Sequence, residues 1–260
     1  MAHGSHWECI VENVEDFFEN EFGELIQSSQ VVDQIEEYGY NIGTEQEQEN
    51  TISTLLSVSD NQDSPFLFLT QLVNKELWTA YPVLNMGTTH EITIIGVKDE
   101  GNLVEGQVHC RLKKYPDFTF SFFDTMYCKN KSKYKAGESY PFLFNGLMYS
   151  GRKNQFANTK LQDNELGGDI WIGNNTVVCL ADEQGDVDDY KIMSPILNVE
   201  TFETNHGKFY KMGILLLQAE IYFNIPVLIS EINLKDGFIP KEGESINGSI
   251  WLCGMLNQEE

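Results

Sequence analysis

Lys135-Ala136-Gly137-Glu138-Ser139-Tyr140 opens an apolar stretch, and the same phrase returns as Lys241-Glu242-Gly243-Glu244-Ser245-Ile246 ahead of Gly248-Ser249-Ile250-Trp251-Leu252. Each copy sets a glycine turn and an acidic residue just before a run that reads as a strand, so two related β-modules are expected. A repeat of this kind speaks to architecture and names no substrate.

Working outward from the first copy, the apolar period is two from His90 onward. Residues 91–97 alternate, 103–112 follow after the turn at Asp99-Glu100-Gly101-Asn102, and 118–123 make a third strand. Residues 125–136 are polar and lysine-rich and read as a connecting turn or one short helix. Residues 139–149 are the fourth strand. Gly173-Asn174-Asn175 reads as the tip of a hairpin joining 169–172 to 176–180. Around the second copy the same order recurs, with strands at 192–202, 209–217, 223–229 and 245–256. The acidic loop 182–189 stands between the two units.

A lysine, a glycine-acid pair and an alternating strand closing a curved antiparallel unit resemble the later half of an oligonucleotide/oligosaccharide-binding (OB) barrel. Gly243-Glu244-Ser245-Ile246-Asn247-Gly248-Ser249-Ile250 is similar to the Gly-Asp-x-(Val/Ile)-x-(Val/Ile)-x-Gly strand of that superfamily. The resemblance spans residues 90–180 and 191–257. It implies a fold and no function, since OB barrels serve nucleic acids, sugars, proteins or no ligand. The second copy has only four strands, so its fifth is missing or borrowed, and the Gly173 hairpin could supply it.

The N-terminal third reads differently. Apolar residues between Ile10 and Ile35 fall at spacings of three and four, which predicts an amphipathic helix or two short helices over 10–38. Residues 39–50 read as an exposed loop, and 52–58 and 66–73 as strands. The expected fold class is therefore mainly β (α+β): an acidic α/β region over 1–84, then OB-like antiparallel β-barrel modules over 85–181 and 190–260. Ala2-His3-Gly4-Ser5-His6 has the look of a cloning remnant, and both histidines are left out of any site.

The 260 residues carry a net charge of -23, distributed unevenly. No Lys or Arg occurs before Lys75, whereas 85–150 is slightly basic. Such a field repels phosphate backbones over most of the surface and disfavours generic nucleic-acid binding. The exception is the first module, where Lys113, Lys114, Lys129, Lys131, Lys133 and Lys135 mix with Tyr115, Tyr127 and Tyr134. On an OB barrel that mixture suits stacking of bases and neutralisation of phosphates. Against this stands a plainer alternative, in which Phe118, Phe120 and Phe122 fill the barrel while the lysines pair with the acidic N-terminal third and are masked by it.

Catalytic patterns are poor. His90, His109 and His206 are isolated, and there is no nucleophile elbow, phosphate-cradling loop or dinucleotide fingerprint. The acids of 182–189 lack the order of an EF-hand and read as a solvated linker. No metal and no cofactor is expected. Five scattered cysteines read as reduced thiols of a cytoplasmic protein, and no apolar run approaches the roughly 18 residues that span a bilayer. The function expected is that of a non-enzymatic intracellular binding or adaptor protein whose acidic field favours a basic protein partner. The alternatives are single-stranded nucleic-acid binding through the first module, or acidic mimicry of nucleic acid.

Overall fold

A computed structural model describes residues 4–40, 47–58, 64–99, 103–156, 159–163 and 168–257. Short helices α1 (Gly4–Trp7), α2 (Val14–Asn20) and α3 (Phe22–Ser28) lead into a four-stranded antiparallel meander. Its strands are β1 (Gln30–Tyr40), β2 (Glu47–Val58), β3 (Phe66–Val73) and β4 (Glu76–Leu84), in that spatial order. Helix α2 starts where Asn13 Oδ1 accepts the Asp16 N–H at 3.2 Å, and Glu15 and Asp16 favour the positive helix end.

The predicted helix thus stops at Ser28, and residues 30–40 are a strand. Two faces of β1 explain the misreading. Asp33, Ile35 and Glu37 turn inward, while Gln34, Glu36 and Tyr38 are exposed. Because two of the inward positions are acids, the period of two is invisible to hydropathy. The expected loop over 39–50 shrinks as well, since β1 reaches Tyr40 and β2 begins at Glu47.

A second, larger sheet follows: β5 (Thr88–Lys98), β6 (Gln107–Leu112), β7 (Tyr115–Asp124), helix α4 (Tyr127–Asn130) with a 3-10 turn at Lys131–Lys133, then β8 (Ser139–Lys153). A hairpin of β9 (Thr159–Asp163) and β10 (Gly168–Ile172) stands apart as its own two-stranded sheet. The chain returns to the large sheet as β11 (Val178–Ala181), β12 (Asp189–Thr204), β13 (Gly207–Gln218), β14 (Tyr222–Ser230), a 3-10 turn at Glu231–Asn233, and β15 (Ser245–Leu256).

The pairings make this sheet ring-like. β5, β6, β7, β15 and β8 form one closed circuit, and β12, β13, β14, β8 and β15 form another. β8 and β15 belong to both. Each circuit closes through a short parallel contact, Val227 and Leu228 against Gly146 and Leu147 in one, Cys253 and Gly254 against Phe123 and Asp124 in the other. The fifth strand of the second circuit is therefore β8, and the Gly173 hairpin is not the donor. That hairpin is not formed: β10 pairs with β9, and β11 pairs with β12.

The two copies of the opening phrase make matching backbone bonds. Gly137 N–H donates to Ile94 O at 2.8 Å and Ile94 N–H to Glu138 O at 3.0 Å; Gly243 N–H donates to Ile196 O at 2.9 Å and Ile196 N–H to Glu244 O at 2.8 Å. Both glycines are left-handed, at φ 86° and 79°, a conformation that disfavours any Cβ. Both partner strands break register just there, between Ile94 and Gly96 in β5 and between Ile196 and Asn198 in β12.

The main core fills the two circuits with alternate side chains, among them Ile92, Phe120, Phe122, Phe142, Ile196, Phe223 and Ile250. A second core joins the N-terminal region to the outside of the large sheet, bringing Trp7, Phe17 and Phe68 against Phe209, Leu228 and Trp251. Trp7 is 1% exposed and donates its indole N–H to Ala80 O at 3.2 Å. His6 is buried and stacks on Trp251 with ring centroids 3.7 Å apart. The segment read as a cloning remnant thus ends in His6, which belongs to the packed interior.

Candidate contact face

The lysine and tyrosine cluster predicted for binding lies on α4, its 3-10 extension and the turn between β6 and β7. The inward face of β1 lies against α4. Lys129 pairs with Asp33 at 3.4 Å, and Lys131 pairs with Glu37 at 3.2 Å while donating to Leu103 O at 3.2 Å. The alternating phenylalanines behave as the plainer alternative expects, with Phe120 and Phe122 buried and Phe118 packed against the same core.

The tyrosines are engaged too. Tyr127 is 3% exposed and donates to Asp99 Oδ2 at 2.9 Å. The Tyr134 hydroxyl donates to Asp124 Oδ2, and its ring packs beside Phe142. Tyr115 is half-buried against the main core. Asp124 itself is fully buried, and loss of hydration pushes its carboxyl up to about 7, against the pull of the Tyr134 hydroxyl and the Met126 N–H. Lys113 pairs with Glu91 at 2.8 Å, Lys133 donates to Asn130 Oδ1 at 3.1 Å, and Lys135 pairs with Glu138 at 3.7 Å. Lys114 is exposed and makes no ion pair among the described residues. What the structure brings together is thus a set of internal partnerships, with Lys113, Lys114, Lys133 and Lys135 outermost.

The seam between β1–β4 and α4 is polar. Gln71 Nε2 donates to Cys128 Sγ at 3.3 Å, while Asp33 Oδ2, Gln71 Oε1 and Thr79 Oγ1 are buried without a partner among the described residues. Atoms left so cost about 1–3 kcal/mol each. Beyond this seam β1 has no neighbour on its outer edge among the described residues. That edge carries Val31, Val32 and Tyr38 at 60%, 43% and 66% exposure beside Glu36. Sequence reasoning missed this strip, because it read β1 as helix.

The acidic loop is exposed over 183–187 and anchored at its end. Asp188 is buried, accepting from Trp251 Nε1 at 2.9 Å and Gln107 Nε2 at 3.1 Å, and Asp189 accepts from the Tyr149 hydroxyl at 2.7 Å. Burial raises the Asp188 carboxyl to about 6. Asp182 pairs with Lys191 at 2.9 Å. The loop fastens β12 to both circuits, through Gln107 of β6 and Trp251 of β15. Among the described residues no group of three or more His, Cys, Asp or Glu side chains is disposed to hold a metal. All five cysteines are free thiols, and no helix is long and apolar enough to cross a membrane.

No protein family, curated protein or solved structure matches the chain.

Proposed function

We propose that the protein is a non-enzymatic intracellular binding protein that takes a basic, extended protein segment along the acidic edge of β1. The observation that carries this reading is the division of charge on that strand. Asp33 and Glu37 are used internally by Lys129 and Lys131, whereas Glu36, which accepts from the Thr51 hydroxyl at 2.9 Å and meets no cation among the described residues, and the edge residues Val31, Val32 and Tyr38 face solvent. An open strand edge offers main-chain hydrogen bonds to a peptide, and alternate side chains set its specificity. The negative field speeds encounter with a cationic segment.

The scaffold in this reading is a pair of OB-like modules that exchange their closing strands. Matching turn bonds, bulges in both first strands, 3-10 turns between third and fourth strands, and parallel closures support it. Nucleic-acid binding is the weaker alternative, because two of its three tyrosines, Tyr127 and Tyr134, are engaged by Asp99 and Asp124.

Fluorescence anisotropy with a labelled peptide of alternating Lys and Val tests the proposal. Binding should weaken with salt, vanish for a Glu and Val peptide, and fall at least tenfold in Tyr38→Lys/Glu36→Lys. Binding of a thymidine 20-mer in preference to the Lys peptide would overturn it.

A further inference from the structure

The outer face of β11, β12, β15 and β8 holds a cleft of about 370 Å³ that none of the preceding roles uses. Its floor follows from register. Val178 pairs with Met193, Met193 with Asn247, and Asn247 with Arg152, so these four side chains form one row on one face. Two residues along, Leu180, Lys191, Ser249 and Ser150 form the next row on that face. Between the rows lie Gly248 and Gly151, and a Cβ on Gly248 would come within 2.3 Å of Ser150 O. Lys235 completes the lining, held by its N–H donating to Gly151 O at 2.8 Å.

Three features of this cleft go together. Arg152 and Lys235 are exposed and make no ion pair among the described residues, in a chain of net charge -23. Asn247 Oδ1 is buried and has no hydrogen-bond partner among the described residues, although Asn247 lines the cleft. Val178, Met193 and the 62% exposed Leu180 give it an apolar side. An unmet amide acceptor beside unpaired cations and an apolar wall calls for a ligand that carries an N–H, an anion and an apolar group. A second hollow, lined by Asp182, Asp186, Asp189 and Tyr149, adjoins the cleft and shares Ser150 and Ser249 with it. Its charge repels a second anion and leaves the first only the Arg152 end.

We infer that this cleft binds the carboxylate end of a peptide-like ligand with an apolar last residue. The carboxylate would sit at Arg152 and Lys235, the last N–H would donate to Asn247 Oδ1, and the apolar side chain would lie on Val178, Met193 and Leu180. Arginine suits the first contact because its planar fork matches a carboxylate. Capture of a terminal carboxylate is a known mode of peptide recognition, here with side-chain cations in place of a backbone nest. Two sources share this chemistry, a free N-acyl amino acid and the C-terminus of a protein. The site is separate from the β1 edge, and the inference does not rest on it.

Titration calorimetry on the full chain with N-acetyl-leucine and N-acetyl-leucinamide tests the carboxylate. The acid should bind at least tenfold more tightly than the amide, and Arg152→Gln and Lys235→Gln, both at exposed positions, should each weaken the acid at least fivefold with unchanged Tm. Asn247→Leu should abolish binding without lowering Tm, because it removes the unmet acceptor. An octapeptide ending in leucine with a free carboxylate identifies the source: a gain of tenfold or more over N-acetyl-leucine assigns a protein C-terminus, and equal affinity assigns the small acid. Equal binding of acid and amide, indifference to both cation variants, or no binding of any probe would overturn the inference. Tyr38→Lys/Glu36→Lys should leave all of these affinities unchanged, so failure here and failure at β1 are distinguishable.

Discussion

Gly146 and Leu252 pair across β8 and β15, and each stands nine residues beyond the left-handed glycine of its own phrase, Gly137 or Gly243. Positions equally far from the two glycine turns thus face each other across this ladder. Close packing accompanies it. A Cβ on Gly146 would approach Val227 Cγ1 to 3.1 Å and Trp251 O to 3.4 Å.

Gly248 of this ladder and Gly23 of α3 should be unequal in their tolerance of a methyl group. At Gly248 the obstacle is the backbone oxygen of Ser150 at 2.3 Å, which cannot swing aside, so Gly248→Ala should destabilise by about 1–3 kcal/mol or more. Gly23 lies in α3 with nothing within 4 Å of its would-be Cβ, and Gly23→Ala should stabilise by up to about 1 kcal/mol. Calorimetric unfolding of the two variants checks the contrast.

Trp7→Ala removes a fully buried ring, its hydrogen bond to Ala80 O and its contacts with Phe17 and Phe68. The expected loss is about 3–5 kcal/mol, measured by urea unfolding. A loss below about 1 kcal/mol would contradict the packing of this segment.

Asp124 should make stability depend on pH. Its folded carboxyl lies near 7 and its unfolded one near 3.8, so the folded state holds the proton more tightly. The associated stabilisation is complete below about pH 4 and is lost as pH rises to 7, at up to about 1.4 kcal/mol per pH unit. Asp124→Asn cannot titrate, and its Tm should gain on the wild type between pH 4 and 7 and run parallel above it. Parallel curves throughout would refute the assignment.

Charge reversal should separate engaged lysines from idle ones. Lys129→Glu/Lys131→Glu sets like charges against Asp33 and Glu37 and should cost about 1–2 kcal/mol. Lys114→Glu should stay within about 0.5 kcal/mol of the wild type by the same urea titration.

Thiol chemistry offers a further check. Cys9, Cys110, Cys128 and Cys253 are buried, and Cys179, partly buried, has its thiol pushed up to about 12 by desolvation. Thiolate, not thiol, is the nucleophile, so native labelling by iodoacetamide at pH 8 should be slow and begin at Cys179. Mass spectrometry reads the site and order.

Much of the large sheet was legible, because alternation such as Val108, Cys110 and Leu112 against His109 and Arg111 has only one structural meaning. The phrase at Gly137 and Gly243 was legible because a left-handed turn leaves glycine as its mark. What stayed hidden was partnership at a distance. Nothing local tells β8 that it closes the second circuit, or tells β11 that it will pair with β12 and not β10. The site divides in the same way. Lysines and tyrosines were visible as types, but their use by Asp33, Glu37, Asp99 and Asp124 depends on packing of β1 and α4. The cleft at Asn247 was invisible, since its four strands are scattered through the chain and an unmet acceptor has no sequence signature.

The sharing of β8 and β15 between both circuits sets an order in time. During synthesis β5 to β8 leave the ribosome long before β15, which completes their circuit, so the first half must wait with an open seam while the stretch from residue 154 to 244 is made. Contacts so far apart in sequence are slow to form, and an unfinished sheet edge is prone to mispairing. Arrest of translation before Ser245 should therefore leave a nascent chain that is protease-sensitive as a whole, not one finished domain followed by a loose tail.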